Sequence, residues 1–453
     1  MLTLGAFIVA IGLLVAFHEW GHFAMARACR VRVLCFSVGF GPRLWSWTSP
    51  VSGTEYRLAA LPLGGFVRML DEREAPVPDS LKHAAFNTQV LYKRFLIVAA
   101  GPVANLVLAV VLYTLVNWIG FEAPEARIAQ PAAGSVAARA GLQGGEIVLR
   151  VTPMGGRAQE VASFEDLRWA LTQTALQAGQ ATITYETPEI TAEKETLLNF
   201  TELPEGLSAG QIVQAIGIEF PYTAPLIGEV RPGSAAEQSG LLNGDMVRAV
   251  DGVAVVDATA LRALIRQSGA AHIPTPQNWQ IERHGVSLSL RVSPRQESEN
   301  GNFVGRVGAM IGSPPHMVKV RYGGGEGLIQ AVRKTWETAR LTLQMMGQMV
   351  TGGASVKNLS GPITIAEYAG RSAAVGLIPY LLFLALVSIS LGVLNLLPVP
   401  VLDGGHLMYY LWEAVTGRSV TDAWMARLQR VGVALLLCMM SIATFNDLSR
   451  LFF

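Results

Sequence analysis

Three ionisable residues interrupt an otherwise apolar N-terminal segment. His18, Glu19 and His22 form the pattern H-E-x-x-H. On a helix, two histidines four residues apart project from one face, so both imidazoles can reach one Zn2+ ion while the glutamate faces the water on that ion. Ionisable side chains in an apolar helix are costly unless they are paired, ligated or hydrated. The pattern predicts a hydrolytic zinc centre; the alternative is a polar cluster that is satisfied without metal.

A third metal ligand must come from elsewhere, because a catalytic zinc usually has three protein ligands and one open position. A second polar cluster follows a long apolar stretch, at residues 395–406. Pro398 and Pro400 break a helix there and free backbone groups that are tolerated only in a protein-lined or hydrated cavity. Asp403 and His406 follow this break. Their chemistry leaves both open as the third ligand, with Asp403 favoured.

The composition of the 453-residue chain is that of a membrane protein. Hydrophobic residues make up 51% of it and charged residues 15%, whereas soluble domains contain about 25% charged residues. This excludes an ordinary soluble enzyme and a disordered chain. The net charge of +1 offers no electrostatic surface for nucleic acid. Three cysteines are too few for a disulfide scaffold.

Four apolar stretches predict transmembrane helices. The first stretch could instead be a cleaved signal peptide. A signal peptide begins with basic residues, however, and no lysine or arginine occurs before Arg27, so the sequence favours a transmembrane helix. The fourth is the weakest because charges follow it, so we expect it to be tilted or to fray into the membrane interface at its end. The four stretches are residues 1–26, 95–121, 372–402 and 431–446.

The charges between the first two stretches predict the orientation of the chain. Residues 27–94 contain ten basic and five acidic side chains. Loops rich in lysine and arginine stay in the cytoplasm, whereas long domains are translocated largely regardless of charge. We therefore expect residues 27–94 to face the cytoplasm, and both termini and the long segment 122–371 to lie on the other side of the membrane.

The long segment contains an internal repeat. The sequence that begins at Gly134 recurs from Gly233, with matching glycine, serine and leucine positions. In each copy a serine, Ser135 or Ser234, is placed to cap a short helix that a glycine ends and a strand follows. Residues 279–292 then read as a hairpin. The repeat predicts two copies of one small α+β unit.

This arrangement resembles tandem PDZ domains of the bacterial protease type, at residues 122–220 and 221–315. PDZ domains bind extended chains by adding a strand to a sheet edge. We therefore expect them to contact exported peptides or substrate segments. The alternative is that one or both copies are spacers or size filters that bind no ligand.

The remaining segment completes the predicted fold. Residues 326–349 have a roughly helical apolar pattern with interspersed charges, which predicts an amphipathic surface helix within residues 316–371. The fold class is a multi-pass α-helical membrane protein with four transmembrane helices. Two of them lie in residues 1–121 and two in residues 372–453, and two tandem α+β PDZ domains are inserted between helices 2 and 3.

The motifs in combination resemble the site-2 protease family. The resemblance covers nearly the whole chain and depends on H-E-W-G-H at residues 18–22, G-P-V-A-N at 101–105, N-L-L-P-V-P-V-L-D-G at 395–404, and the PDZ pair. It implies a multi-pass enzyme in contact with the lipid bilayer and raises Asp403 above His406 as third ligand. The implied roles are zinc binding by His18, His22 and Asp403, general acid and base catalysis by Glu19, and substrate orientation by Asn395.

A further segment resembles the membrane-reentrant β hairpin of this family. Residues 56–70 alternate imperfectly around Pro62 and the pair Gly64 and Gly65. Peptide bonds in a helical transmembrane substrate are shielded by their own hydrogen bonds, and an edge strand here would hold the unwound segment extended. Gly64 and Gly65 are therefore predicted to contact substrate. The alternative is an amphipathic hairpin that only packs beneath the helices.

The resemblance implies a zinc metalloendopeptidase that cleaves within transmembrane segments of single-pass proteins in the bacterial inner membrane. The implied substrates are an anti-sigma factor already trimmed by a periplasmic protease, as in regulated intramembrane proteolysis during envelope stress, and remnant signal peptides. Both termini and the PDZ domains would be periplasmic. Two rival functions are a membrane-tethered PDZ adaptor without turnover, and a transporter or channel with an ionisable relay, which the large PDZ insertion disfavours.

Overall fold

The computed structural model describes residues 2–177, 179–187, 190–204, 209–269, 276–299, 302–350 and 361–452. The chain divides into two compact units. We call Met1–Phe121 together with Arg321–Phe453 the helical unit, and Glu122–Val320 the inserted unit. The chain therefore leaves the helical unit after its second long helix and returns to it for the remaining helices.

The first part of the helical unit contains two long apolar helices with a β ribbon between them. Its elements are α1 (Leu2–Ala28), β1 (Val33–Thr48), β2 (Glu55–Met69), a 3-10 helix (Asp79–Ala84) and α2 (Leu91–Ile119). The two helices approach closely because α1 has no side chain where they meet. A Cβ on Gly21 would lie 2.3 Å from the carbonyl oxygen of Ala100. This contact fixes the helix that carries the H-E-x-x-H residues against α2.

The ribbon of β1 and β2 corrects the predicted hairpin. The C-terminal half of β2 pairs with the N-terminal half of β1, as in Phe66 opposite Ser37. The N-terminal half of β2 pairs with both halves of β1, as in Tyr56 opposite Phe36 and Trp47. The chain reverses at residues 49–54, where proline and glycine favour a turn. Residues 56–70 therefore belong to an antiparallel ribbon whose other strand is the preceding β1, which the prediction did not include.

The inserted unit is built from short strands and helices. Its sheets have the strand orders β5-β4-β6-β7 and β10-β9-β11-β12, with further pairs β13-β14, β15-β8 and β16-β3. Its strands are β3 (Phe121–Pro124), β4 (Ile147–Pro153), β5 (Gln159–Glu160), β6 (Gln180–Thr187), β7 (Ile190–Asn199), β8 (Ile227–Val230), β9 (Met246–Val250), β10 (Val253–Ala254), β11 (Gln277–Arg283), β12 (Val286–Val292), β13 (Arg295–Glu299), β14 (Asn302–Arg306), β15 (Ala309–Ile311) and β16 (Met317–Val320). Its helices are α3 (Val136–Arg139), α4 (Phe164–Leu176), α5 (Ala209–Ile216), α6 (Ala235–Gln238) and α7 (Ala258–Ser268).

The two copies of the repeat have the same local structure. The side chains of Ser135 and Ser234 each accept a hydrogen bond from the backbone N–H three residues later, which caps α3 and α6. Gly141 and Gly240 follow these helices with φ of 86° and 77°, a conformation that favours glycine. The hairpin of β11 and β12 turns at His284 and the glycine after it. The capping serines, the terminating glycines and this hairpin are confirmed.

Each copy also has a core of its own. One cluster of buried apolar side chains extends from Ala126 to Ile218 along the chain, and a second from Ile227 to Val307. The large buried side chains include Phe200 in the first cluster and Trp279 in the second. The inserted unit therefore contains two consecutive cores, one for each copy. The assignment of the copies as PDZ domains, and the boundaries 122–220 and 221–315, stay predictions.

Five helices lie in the described residues of the second part of the helical unit, 321–350 and 361–452. They are α8 (Gly324–Val350), α9 (Pro362–Val375), α10 (Leu377–Asn395), α11 (Asp403–Thr416) and α12 (Asp422–Phe452). The amphipathic helix predicted at 326–349 is confirmed as α8, which buries Ala331 and Ala339 and leaves Trp336 71% exposed.

Four helices in the described part of the chain are long and apolar enough to cross a membrane. They are Leu2–Ala28, Leu91–Ile119, Leu377–Asn395 and Ala423–Ser449. The four predicted apolar helices are confirmed, but the third helix is shorter than the apolar stretch 372–402. Gly376 separates α9 from α10 with φ 150° and ψ 179°, a conformation nearly restricted to glycine that cannot continue a helix. At the other end α10 stops at Asn395, before the two prolines.

The start of α9 depends on a carboxylate from α12. Asp447, which is 2% exposed, accepts backbone N–H groups from Gly361, Ile363 and Thr364 at 3.0 Å each, and the Thr364 hydroxyl at 2.5 Å. The first N–H groups of a helix have no partner within it, so this carboxylate replaces the missing acceptors. It joins two helices that are distant in sequence.

We expect Asp447→Ala to lower the free energy of unfolding by about 1–3 kcal/mol, because buried N–H groups lose their acceptor. Asp447→Asn keeps one carbonyl acceptor and should cost less. Thermal unfolding of the detergent-purified variants measures the difference. An alanine variant that unfolds at the wild-type temperature would show that Asp447 does not stabilise α9.

Candidate metal centre

The structure brings three of the predicted site residues to one point in the helical unit. His18 and His22 lie one turn apart on α1, and Asp403 is the first residue of α11. The two Nε2 atoms are 3.2 Å apart, and the Asp403 Oδ2 atom lies 3.2 Å from that of His18 and 3.5 Å from that of His22. The three residues form the one cluster of potential metal ligands among the described residues.

These distances fit a tetrahedral zinc site. Zinc binds histidine nitrogen and carboxylate oxygen at about 2.0–2.1 Å, so neighbouring ligand atoms of a tetrahedron lie about 3.3 Å apart, which matches all three separations. The Oδ2 atom of Asp403 is buried and has no hydrogen-bond partner in the described part of the chain. A buried acceptor without a donor is costly, and a cation between the three atoms would satisfy it.

Glycines allow Asp403 to reach this point. The chain between α10 and α11 is irregular, and α11 packs directly on it. A Cβ on Gly404 would lie 2.0 Å from the Leu397 carbonyl oxygen, and one on Gly405 would lie 2.5 Å from the Val399 carbonyl oxygen. Burial raises the pKa of the Asp403 carboxyl, but the neighbouring imidazoles outweigh burial and hold that pKa well below its usual range. Asp403 is therefore ionised, as a metal ligand must be.

A cavity of about 670 Å³ opens beside the three ligands. Glu19 and Gly65 line it, and the approach of β2 is close, because a Cβ on Gly65 would lie 2.8 Å from the Glu19 Cγ atom. The cavity is wide enough for water, and many of its walls are charged or polar. The charged residues of the lining outside the ligands are Glu19, Arg68, Asp71, Arg73, Glu74, Arg94 and Glu413.

The other predicted site residues lie in different places. His406 lines the cavity but is not part of the ligand cluster. Asn395 is the last residue of α10, and neither it nor Gly64 is among the residues that line the cavity. A Cβ on Gly64 would instead lie 2.2 Å from the Phe40 ring. The structure thus places Glu19, Gly65 and the three ligands along one cavity, and Asn395 and Gly64 outside its lining.

The hydrogen-bond partners of the two histidines were not predicted from the sequence. His22 Nδ1–H donates to the Ile97 carbonyl oxygen at 2.8 Å, and the Asn105 side chain lies 3.1 Å from His18 Nδ1. Asn105 is 0% exposed. The signal that would have identified it is an amide within the apolar run of α2, because a buried polar side chain requires a partner.

A second set of contacts that was not predicted from the sequence joins α11 to the start of α2. Arg94 donates to Glu413 at 2.6 Å, and its guanidinium lies 5.2 Å from the Tyr410 ring centroid. Burial raises the pKa of Tyr410 to about 12, although Arg94 opposes the shift, so the phenol stays neutral. The contacts hold the helix that begins with Asp403 against α2.

Comparison with known proteins identifies the family. The sequence model of peptidase family M50 matches residues 6–439. The chain belongs to peptidase family M50. A protein of Ralstonia nicotianae that carries the name of a zinc metalloprotease is 38% identical over 100% of this chain and 99% of its own length. Regulator of sigma-E protease RseP of Escherichia coli is 38% identical over 99% and 98%, and Protease RseP of Yersinia pestis is 38% identical over 99% of both chains. The predicted protease family is thereby confirmed, and the chain is a zinc metallopeptidase whose M50 match covers residues 6–439.

The M50 site leaves no room for a side chain at Gly101. A Cβ there would lie 2.3 Å from His22 Nε2 and 2.9 Å from His18 Cε1, so Gly101→Ala must displace an imidazole. We expect this variant to lose bound metal and peptidase activity. Gly12→Ala is the matched control, because a Cβ at this position of α1 has nothing within 4 Å. Metal content by mass spectrometry tests both, and a wild-type content in Gly101→Ala would contradict the packing argument.

Proposed function

We propose that this M50 protein is an intramembrane zinc metalloprotease that hydrolyses peptide bonds in transmembrane segments of single-pass proteins. The observation that carries the proposal is the triangle formed by His18, His22 and Asp403, with sides of 3.2, 3.2 and 3.5 Å. Two of these ligands belong to α1, a helix apolar enough to span a membrane. The cavity beside them has charged and polar walls and is wide enough to admit the water that hydrolysis requires.

The catalytic roles follow from the chemistry of the residues. Zinc, when bound, lowers the pKa of a water molecule toward about 7 and polarises the scissile carbonyl. Glu19 follows the first ligand on α1 and lines the same cavity, so its carboxylate takes the proton from the attacking water and gives it to the leaving nitrogen. The catalytic residue is Glu19, and the ligands are His18, His22 and Asp403.

Substrate binding is assigned to β2 and to the end of α10. A transmembrane helix shields its peptide bonds, so the segment to be cut must be unwound and held extended, as strand addition does. Gly65 is the point where β2 comes within van der Waals distance of Glu19, so substrate beside it would be close to the catalytic carboxylate. Asn395 and Gly64 lie outside the cavity lining, and their substrate contacts are proposed from the family resemblance alone.

The cellular role is proposed from the relatives. The chain is similar over its full length to proteins named regulator of sigma-E protease, which supports an anti-sigma factor as substrate after its trimming by a periplasmic protease, in the envelope stress response. Remnant signal peptides are the second substrate class. The protein would lie in the bacterial inner membrane, with both termini and the PDZ domains in the periplasm, where these domains contact substrate segments or peptides.

The test is cleavage of a single-pass substrate by detergent-purified protein, with and without a zinc chelator. The proposal requires cleavage that the chelator abolishes and added zinc restores. Binding of the substrate without turnover in either condition would instead support the PDZ adaptor. Cleavage that is unaffected by chelation would exclude a metalloprotease.

A further inference from the structure

We infer that Asn105 is a positioning residue that holds the ring of His18 in the tautomer that binds metal, an inference that rests on the proposed zinc site. Asn105 lies in the middle of α2, is 0% exposed, and faces the ring nitrogen of His18 that points away from Asp403. It does not line the cavity and is not one of the three ligands. Its effect on the metal must therefore pass through His18.

The hydrogen bonds of the Asn105 amide are incomplete. The Nδ2 group donates to His18 Nδ1 at 3.1 Å, whereas the Oδ1 atom is buried and has no hydrogen-bond partner among the described residues. The main chain at Asn105 is fixed by a separate contact, because the Ser388 hydroxyl donates to the Asn105 main-chain carbonyl oxygen at 2.7 Å. A buried acceptor without a donor is unfavourable, so this orientation of the amide satisfies only one of its two polar atoms.

Metal binding requires the opposite orientation. His18 Nε2 faces Asp403 and His22, so it must offer a lone pair to the ion, and the ring proton must then lie on Nδ1. A protonated Nδ1 needs an acceptor, which a half-turn of the Asn105 amide provides by exchanging Nδ2 for Oδ1. The Asn105 amide is thus placed to fix the position of the ring proton of His18.

His22 is held in a different way. Its Nδ1–H donates to the carbonyl oxygen of Ile97 at 2.8 Å, and a main-chain carbonyl is only an acceptor. This partner fixes the metal-binding tautomer of His22 whether or not the ion is present. His22 is therefore always in the tautomer that binds metal, whereas the tautomer of His18 depends on the Asn105 amide. Partners of this kind typically change metal affinity about 10–100-fold when they are removed.

The experiment measures zinc affinity of the full-length, detergent-purified protein by competition with a chromophoric chelator. Asn105→Leu and Asn105→Ala remove the amide, and we expect either to weaken zinc binding about 10–100-fold. Asn105→Asp keeps an acceptor for Nδ1–H and should stay within a few-fold of wild type. Asn117→Ala is the matched control, because Asn117 is a buried amide of the same helix that donates to the Gly327 carbonyl oxygen instead.

The outcomes separate this inference from the proposed function. Asn105→Leu or Asn105→Ala with the affinity of Asn117→Ala would overturn the role of Asn105 while leaving the zinc site in place. If neither folds, Asn105→Asp decides, since a tenfold loss there would also overturn it. Absorption spectra of the Co2+-substituted proteins should change in the leucine variant and be restored in the aspartate variant. A wild-type protein that binds no zinc would instead refute the proposed function itself.

Discussion

Glu19→Gln is expected to bind zinc at the wild-type level and to lose cleavage by about 10²–10⁴-fold. Glutamine has nearly the size of glutamate, so the fold around the cavity stays the same, and the three ligands are untouched. It has no basic oxygen that can take a proton from water and pass it to the leaving nitrogen. The loss should therefore appear in turnover and not in metal content.

The measurement pairs zinc content with the rate of cleavage of one substrate in the same preparations. Glu367→Gln is the matched control, because Glu367 lies in α9, pairs with Arg371 and is not among the residues that line the cavity. It should cleave at the wild-type rate. Substantial residual cleavage by zinc-loaded Glu19→Gln would mean that another group is the general base.

Asp403→Ala is expected to lose zinc, with affinity reduced more than about 100-fold, because removal of a direct ligand exceeds the usual effect of removing a ligand's partner. His406→Ala should keep zinc. The reason is geometric, since Asp403 Oδ2 lies within 3.5 Å of both histidine nitrogens, whereas His406 lines the cavity without joining the cluster.

Zinc stoichiometry after exhaustive dialysis distinguishes the two variants, and circular dichroism verifies that both are folded. Normal zinc in Asp403→Ala together with loss in His406→Ala would reverse the ligand assignment. Loss in both would indicate that His406 also holds the ion, or holds Asp403 in place.

The apolar stretches predict the membrane helices well, but not their ends. Length and hydropathy alone identify α1, α2 and α12, because a bilayer accepts few other segments. The third stretch looks continuous from 372 to 402, yet it divides at Gly376, since hydropathy does not report backbone conformation. The helix α11 was not predicted, because its apolar and polar residues resemble those of a loop after two prolines. Pairing of β1 with β2 was missed because it joins segments across a turn that local alternation does not reveal.

The candidate site shows what spacing can and cannot predict. His18 and His22 are only four residues apart and lie one helical turn from each other. The sequence alone therefore predicts that their imidazoles can bind the same metal ion. Asp403 and His406 are both suitable ligands three residues apart at the start of one helix, and only the family resemblance and the geometry separate them. Asn105 was missed because its partner, His18, is distant in the sequence and meets it only where α1 packs on α2.

The proposed function requires that the protein hydrolyses a peptide bond within the membrane-spanning part of the substrate, at the zinc site. The most direct measurement is mass spectrometry of the products from a single-pass substrate incubated with purified protein in detergent. We expect new termini inside the apolar segment, which appear with zinc and are absent with a chelator or with Glu19→Gln. Products cut only outside that segment, or identical products from Glu19→Gln, would contradict it.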